Sequence, residues 1–265
     1  MEERVMLKNI RIFKHLMMRD ATVLKKDFLG DLINVVTWPT SLAITFGHVL
    51  PAFGMIETYG SFLIVGALGT SFFYLAVGLA TNLINDFEGM RFIESQLITP
   101  VSSYKVVLMQ RVTTFALHSF ALSAPLLLVG KLLLGPKLSF VDFSLWKFMV
   151  IMTTTSFFFG FFALALAASF ESTRSIAAVW RRIYTPMLLL GCYWFSFNMA
   201  QKVYPRAVYL TLGNPLTFII EGIRVSVFGQ AEYINFLLCE AVLLGYCCLL
   251  AAFSFSRIRR RLDLL

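Results

Sequence analysis

The chain has 265 residues, of which 58% are hydrophobic and 14% charged, with a mean hydropathy of +0.76. A soluble domain carries about 45–50% apolar and about 25% charged residues, so this composition excludes a disordered chain, a disulfide scaffold and an ordinary soluble enzyme. The formal net charge of +8 raises nucleic acid as a partner. In a membrane protein, however, basic residues set topology, and their positions matter more than their sum.

The first 28 residues carry scattered charge with no compact apolar core and no small-residue cleavage site, unlike a secretory signal. At about 100° per residue, Met6, Ile10, Phe13, Met17, Leu24 and Phe28 fall on one side. Arg4, Lys8, Arg11, His15, Arg19 and Lys26 fall on the other. This pattern predicts an amphipathic helix over 1–28 in the cytoplasmic headgroup layer, or against a cytoplasmic subunit. Residues 29–265 then form one transmembrane domain.

A crossing helix needs about 20 mostly apolar residues. Candidates run over 32–50, 62–83, 112–129, 148–170, 184–199 and 234–255. The first contains Pro39 and Gly47; the fifth is short, with Pro186 near its start. The expected fold class is all-α integral membrane with six transmembrane helices. With the N-terminus placed in the cytoplasm, 17 of the 23 Lys and Arg residues fall on the inside. Only Lys131, Lys137, Lys147, Lys202, Arg206 and Arg224 fall outside. Both termini are therefore expected in the cytoplasm. The charge is spread over four juxtamembrane segments and offers nucleic acid no single face.

Between the second and third spans, Met90, Ile93 and Leu97 recur at helical spacing, with Arg91 and Glu94 between them. A short helix is predicted from about Glu88, ending before Pro100, which biases Thr99 away from helical geometry. Ser102 or Ser103 then caps the next span. Such a helix is either a handle for a soluble partner or a plain connector.

Polar residues inside apolar stretches are few. Glu221 and Arg224, three apart, share a helix face. They read as a satisfied pair holding a short non-spanning segment, with direct substrate contact as the alternative. Glu240 lies seven residues into the last span. There an unpaired charge costs on the order of 2.5 kcal/mol or more, so the carboxyl is paired, protonated or facing water. Alternatively the helix starts later and Glu240 sits at the interface. His48 and His118 read as hydrogen-bonded packing residues, and with His15 they are too far apart in sequence for a metal motif. Cys192, Cys239, Cys247 and Cys248 read as small buried hydrophobes. The run Phe157–Phe162 either offers a lateral path for a lipid tail or packs against neighbours. Trp38, Trp146 and Trp180 lie near span ends, as interfacial anchors do; Trp194 is deeper. There is no G-x-x-x-x-G-K-[ST] loop, so any ATPase is expected on another polypeptide. No catalytic residue and no metal site are expected.

Two motifs carry a family likeness. Glu88-Gly89 followed by Leu97-Ile98-Thr99-Pro100-Val101-Ser102 resembles the cytoplasmic-loop signature of type-2 ATP-binding-cassette (ABC) exporter permeases. Asn214-Pro215-Leu216-Thr217 with Glu221-Gly222-Ile223-Arg224 resembles the second signature of the same family. The order of parts matches over essentially the whole chain. The resemblance implies that Glu88–Thr99 is a coupling helix docking into a nucleotide-binding subunit, with Glu88, Gly89, Arg91, Glu94, Thr99 and Pro100 at the contact. It also implies that Asn214, Pro215, Glu221 and Arg224 belong to short re-entrant helices in the outer leaflet before the last span. The implied assembly has two copies of a cytoplasmic ABC ATPase carrying ATP and Mg. A second permease copy completes it, a homodimer being preferred, in the lipids of a bacterial plasma or inner membrane.

Short outside loops and scarce intramembrane charge suit a drug-like amphiphile, a lipid or a lipid-linked saccharide better than an ion. A membrane-embedded lipid-modifying enzyme needs clustered acids, His or Lys at one depth. An ion-coupled transporter needs paired intramembrane acids and two similar halves. The sequence offers only Glu240, His48 and His118, scattered over three spans, and no convincing internal repeat.

Overall fold

A computed structural model describes residues 2–85, 104–170, 172 and 176–262, and every regular element among them is helical. Four of these helical stretches are long and apolar enough to cross a membrane: Tyr59–Asn85, Lys105–Lys137, Leu145–Ser169 and Phe236–Arg260. They match the expected second, third, fourth and sixth spans. The expected first and fifth take other forms.

The first helix, α1 (Glu2–Ile44), carries the basic arm and the first apolar stretch without interruption, so no break marks the expected division at 28/29. Its arm packs inward through its apolar side. Thr114 Oγ1 donates to Met17 Sδ at 3.0 Å, and the Phe28 ring meets His118 edge-on at 6.3 Å. Around Pro39, the hydroxyls of Thr37 and Ser41 donate back to the carbonyls of Ile33 and Thr37. The helix then loosens through a π turn (Thr45–Val49) and a 3-10 turn (Leu50–Phe53) and ends at Gly54. Its φ of +93° is a left-handed value that glycine adopts without a steric cost.

At the centre lies α2 (Tyr59–Asn85), with 18 of its 27 residues buried. Small residues let neighbours approach its backbone closely, as in packed membrane helices. A Cβ at Gly60 would lie 2.6 Å from the Gly47 Cα, and one at Gly66 would lie 3.2 Å from Arg224 Nη2. Next come α3 (Tyr104–Ser123) and α4 (Pro125–Leu134), joined through helical Ala124. Pro125 is tolerated there because the first turn of a helix needs no amide donor. On α5 (Leu145–Ser169), Phe158, Phe159 and Phe161 are buried, and Phe159 stacks on Phe72 with ring centroids 6.1 Å apart. The phenylalanine run is therefore mainly packing, not a lipid-facing path.

The expected fifth span is interrupted. Helix α6 (Ile176–Val179), a π segment (Trp180–Tyr184) and α7 (Thr185–Leu190) run on from one another, and the chain then turns before α8 (Phe197–Val203). A 3-10 segment (Ala207–Gly213) leads into α9 (Pro215–Phe228), followed by α10 (Phe236–Leu262). Helix α10 is peripheral: 28% of its apolar window is buried, against 72% for α2. Cys248 on this helix is exposed, contrary to the sequence reading, whereas Cys192, Cys239 and Cys247 are buried.

Two lysines from the minority assigned to the outside close the ends of α1 and α4. Lys131 Nζ donates to the carbonyls of Gly135 and Leu138, and Lys137 Nζ to that of Gly47. His48 Nε2 lies 2.9 Å from the Leu133 carbonyl oxygen, a packing role as expected.

The Gly60–Gly47 contact is backbone on backbone and has no flexible side chain to yield. Gly60→Val is expected to cost about 1–3 kcal/mol through overpacking, read as a lowered thermal midpoint of the detergent-solubilised chain. A Cβ at Gly245 meets nothing within 4 Å, so Gly245→Val serves as the matched control and is expected not to lower the midpoint.

Candidate functional site

The break after α7 poses a hydrogen-bonding problem. The last carbonyls of a helix have no partner within it, and a buried polar group left unpaired in apolar surroundings costs several kcal/mol. Here several of the carbonyls around the break are met by side chains. Asn214 Nδ2 donates to Met187 O at 2.7 Å, and Thr217 Oγ1, which donates to Thr211 O at 2.7 Å, lies 3.4 Å from Leu190 O. Arg224 Nη1 donates to Cys192 O at 2.6 Å and to Phe195 O at 3.2 Å, and its Nη2 to Tyr193 O at 2.8 Å. The Tyr59 hydroxyl supplies Trp194 O at 2.9 Å. The turn itself is strained, because Cys192 adopts a φ of +56° without being glycine.

Most of these donors come from one face of α9. Asn214, Thr217, Glu221 and Arg224 recur at intervals of three and four, the spacing that aligns side chains along a helix. Asn214 also caps the helix, its Oδ1 accepting from Leu216 N at 3.0 Å, with Pro215 preset for the first turn. Glu221 and Arg224 are both fully buried and lie 3.5 Å apart. The carboxylate is used at both oxygens: Oε1 accepts from Phe197 N and Oε2 from Ile234 N, each at 3.2 Å. It thereby ties the starts of α8 and of the α10 approach to α9. The Arg224 guanidinium lies 3.5 Å above the Phe62 ring. A planar fork serving three carbonyls and an aromatic face is a task for Arg and not for Lys. The four predicted residues Asn214, Pro215, Glu221 and Arg224 thus come together. Thr217 and Tyr59 complete the arrangement. Neither member of the ion pair reaches a surface.

Other sequence candidates lie elsewhere. Helix α10 begins at Phe236, two residues later than expected, so Glu240 falls in its first turns. It is only 8% exposed, and its Oε1 has no hydrogen-bond partner among the described residues. Glu88, Gly89, Arg91, Glu94, Thr99 and Pro100 lie outside the described residues, between the end of α2 at Asn85 and the start of α3 at Tyr104. Among the described residues, no group of three or more His, Cys, Asp and Glu side chains is placed to hold a metal.

The second feature is a half-open cavity of about 950 Å³ lined by α1, α2 and α3. Two polar groups interrupt its apolar wall of Leu24, Val35, Leu75, Leu79 and Phe115. At one end Asp20 accepts from Arg19 at 2.7 and 2.9 Å, from Gln110 Nε2 at 2.8 Å and from Arg111 Nη1 at 3.3 Å. Farther along, His118 Nε2 lies 3.1 Å from Asp31 Oδ2. Helices α1 and α3 run parallel, since Met17, Asp20 and Asp31 meet Thr114, Arg111 and His118. The sequence reading did not single out Asp20 or Asp31. The available signal was Asp31, Asn34 and Trp38 on one face, a polar stripe entering an apolar helix.

Replacing Arg224 strands three carbonyls and the Glu221 charge. Arg224→Met is expected to cost about 3–5 kcal/mol, seen as loss of monodisperse folded protein in detergent. Arg224→Lys, one point charge without the fork, is expected to restore less than half of that loss. Full recovery with Lys would show that charge alone, and not the three-carbonyl geometry, holds the break.

The ABC-2 type transporter family matches residues 11–228, most of the chain. No curated protein matches the sequence. The matched stretch runs from α1 to the last residue of α9 and so takes in the cavity, the helix break and the Asn214–Arg224 face. The chain therefore belongs to the ABC-2 type transporter family, as a membrane permease domain without ATPase motifs of its own.

Proposed function

We propose that this permease forms half the membrane pathway of an exporter that moves an amphipathic, lipid or lipid-linked cargo out of the cytoplasm or inner leaflet. The fuel is ATP, hydrolysed with Mg on two separate cytoplasmic ABC ATPase subunits. The observation carrying this reading is the cavity itself, an apolar cleft with polar stations, walled by α2 and α3. Those are the helices that flank residues 86–103.

In this arrangement the chain crosses the membrane six times. The apolar half of α1 and the interrupted stretch from Ile176 to Val203 supply the two crossings beyond the four long apolar helices. Both termini face the cytoplasm, and the arm over 1–28 keeps its basic face among the headgroups. The short helices around Asn214–Arg224 lie toward the outer leaflet. A second copy of the chain supplies the other half of the pathway.

ATP binding draws the ATPases together, and the segment Glu88–Thr99 hands that displacement to α2 and α3. A cavity walled by both helices then changes its affinity for cargo. Differential affinity between two states is what moves a ligand. The stapled break stays rigid, because opening it exposes several carbonyls at once.

The test is co-purification with a cognate ABC ATPase, followed by ATP hydrolysis with and without the permease. Glu88→Ala and the double change Thr99→Ala, Pro100→Ala are expected to reduce permease-dependent ATPase activity on the order of tenfold, about 1.4 kcal/mol of lost coupling. The thermal midpoint of the permease stays unchanged. Wild-type coupling in both variants would remove the lever from this account. Cargo movement by the purified chain with no ATPase present would overturn the function altogether.

A further inference from the structure

We infer that the cavity between α1, α2 and α3 binds a chain-like amphiphile with a cationic head, with Asp31 as its counter-ion. This deepens the reading of the cavity as a cargo site and rests on it.

Shape comes first. The walls extend from Arg19 to Pro39 along α1 and from Ala67 to Leu83 along α2, which at 1.5 Å per residue is about 25–30 Å of helix. A mostly apolar cleft of that length accommodates an extended alkyl chain. Gly78 faces this space: a Cβ added there meets nothing within 4 Å.

Charge comes second. Asp20 is consumed by Arg19, Gln110 and Arg111, so that end is already closed with hydrogen bonds. Asp31 differs. Its side chain is 38% exposed, and only Oδ2 is engaged, by His118. Oδ1 takes no hydrogen bond among the described residues. Oδ1 is therefore open to a ligand in the cavity. The Arg19 guanidinium belongs to a residue twelve positions away on the same helix, about 18 Å along its axis.

Aromatic faces come third. Asp31, Asn34 and Trp38 fall on one side of α1, and Tyr74 looks into the same space from α2. Trp38 is 48% exposed, whereas the Tyr74 ring, 40% exposed, packs on one side against Trp180 and Tyr184. A carboxylate in a cavity also lined by these two rings attracts an ammonium through charge, and a ring face adds to that where the ammonium comes within about 6 Å of it. An anionic head meets the same Asp31 as repulsion. With the head at Asp31, the tail runs along Val35, Leu75 and Phe115, deeper into the apolar part of the bundle.

An ammonium head with an apolar chain describes both a soluble quaternary amphiphile and an ethanolamine lipid, and the experiment separates them. The full chain is reconstituted in nanodiscs of phosphatidylglycerol alone or with added phosphatidylethanolamine. Calorimetric titrations use decyltrimethylammonium, decanoate and decanol, with empty discs subtracted. Wild-type protein is expected to bind decyltrimethylammonium on the order of tenfold more tightly than decanoate or decanol. Asp31→Asn abolishes that preference, Trp38→Leu lowers it severalfold, and Gly78→Leu removes binding of all three probes by filling the groove. Weaker binding when phosphatidylethanolamine is present identifies a lipid as the competing source of the head; unchanged binding identifies a soluble amphiphile.

Equal affinity of the wild type for all three probes overturns the charge proposal while the cargo cavity stands. Binding unaffected by Gly78→Leu overturns the cavity as the site, and the present proposal with it. Should Asp31→Asn fail to fold, the wild-type comparison and Trp38→Leu decide the matter.

Discussion

A helix cannot stop inside an apolar bundle without finding donors for its last carbonyls. That constraint organises the part of the described fold around the break after α7. The chain ends α7 at Leu190, turns through a strained Cys192 and resumes at Phe197. The carbonyls of Met187, Cys192, Tyr193, Trp194 and Phe195 are each served by a side chain from α2, α9 or the residue capping α9. Arg224 alone serves three of them, and its charge is neutralised by Glu221 in the turn before it. A buried ion pair costs desolvation that its own attraction seldom recovers. Here the pair also satisfies the backbone of three segments, and that is the return for burying it.

The same logic accounts for exceptions in the charge distribution. Lys131, Lys137 and Arg224 all belong to the minority of basic residues that fall on the outside in the expected topology. Each donates to backbone carbonyls at a helix end or break. They are retained as hydrogen-bond donors, a role set by backbone geometry and independent of the topological bias.

Helix α2 joins two contrasting environments. Around Gly66 it lies against Tyr193 and Arg224, where a single added carbon already crowds its neighbours. Three turns on, at Gly78, it borders open space. One end of the helix is thus held against the stapled break, and the other walls the cavity. Dense packing resists deformation, whereas a void with partly satisfied polar groups has contacts still to make.

How much was legible in the sequence depends on the range of the interaction. Composition and apolar run length announced a multi-helix membrane protein; they placed α2 and α5 within about three residues and found the cores of α3 with α4 and of α10, whose ends extend up to about eight residues farther. The i, i+3 spacing of Glu221 and Arg224 announced their pairing, since it follows from local helical geometry. The run 184–199 looked continuous because hydropathy records side chains and ignores whether the backbone stays helical; the turn at Gly191 and Cys192 depends on donors from residues 22 or more positions later. The joining of arm and first span into α1 was equally hidden, because amphipathic periodicity does not say whether an apolar face meets lipid or another helix. Asp20 and Asp31 were not singled out in the sequence, because only α3 brings Arg111 and His118 beside them. Sequence by itself determined the helices, their apolar faces and the family signatures, all of which arise from short-range periodicity and composition. Tertiary structure decided which carbonyls were left bare, which donors reached them and where a cavity remained, because those outcomes depend on distances between residues remote in the chain.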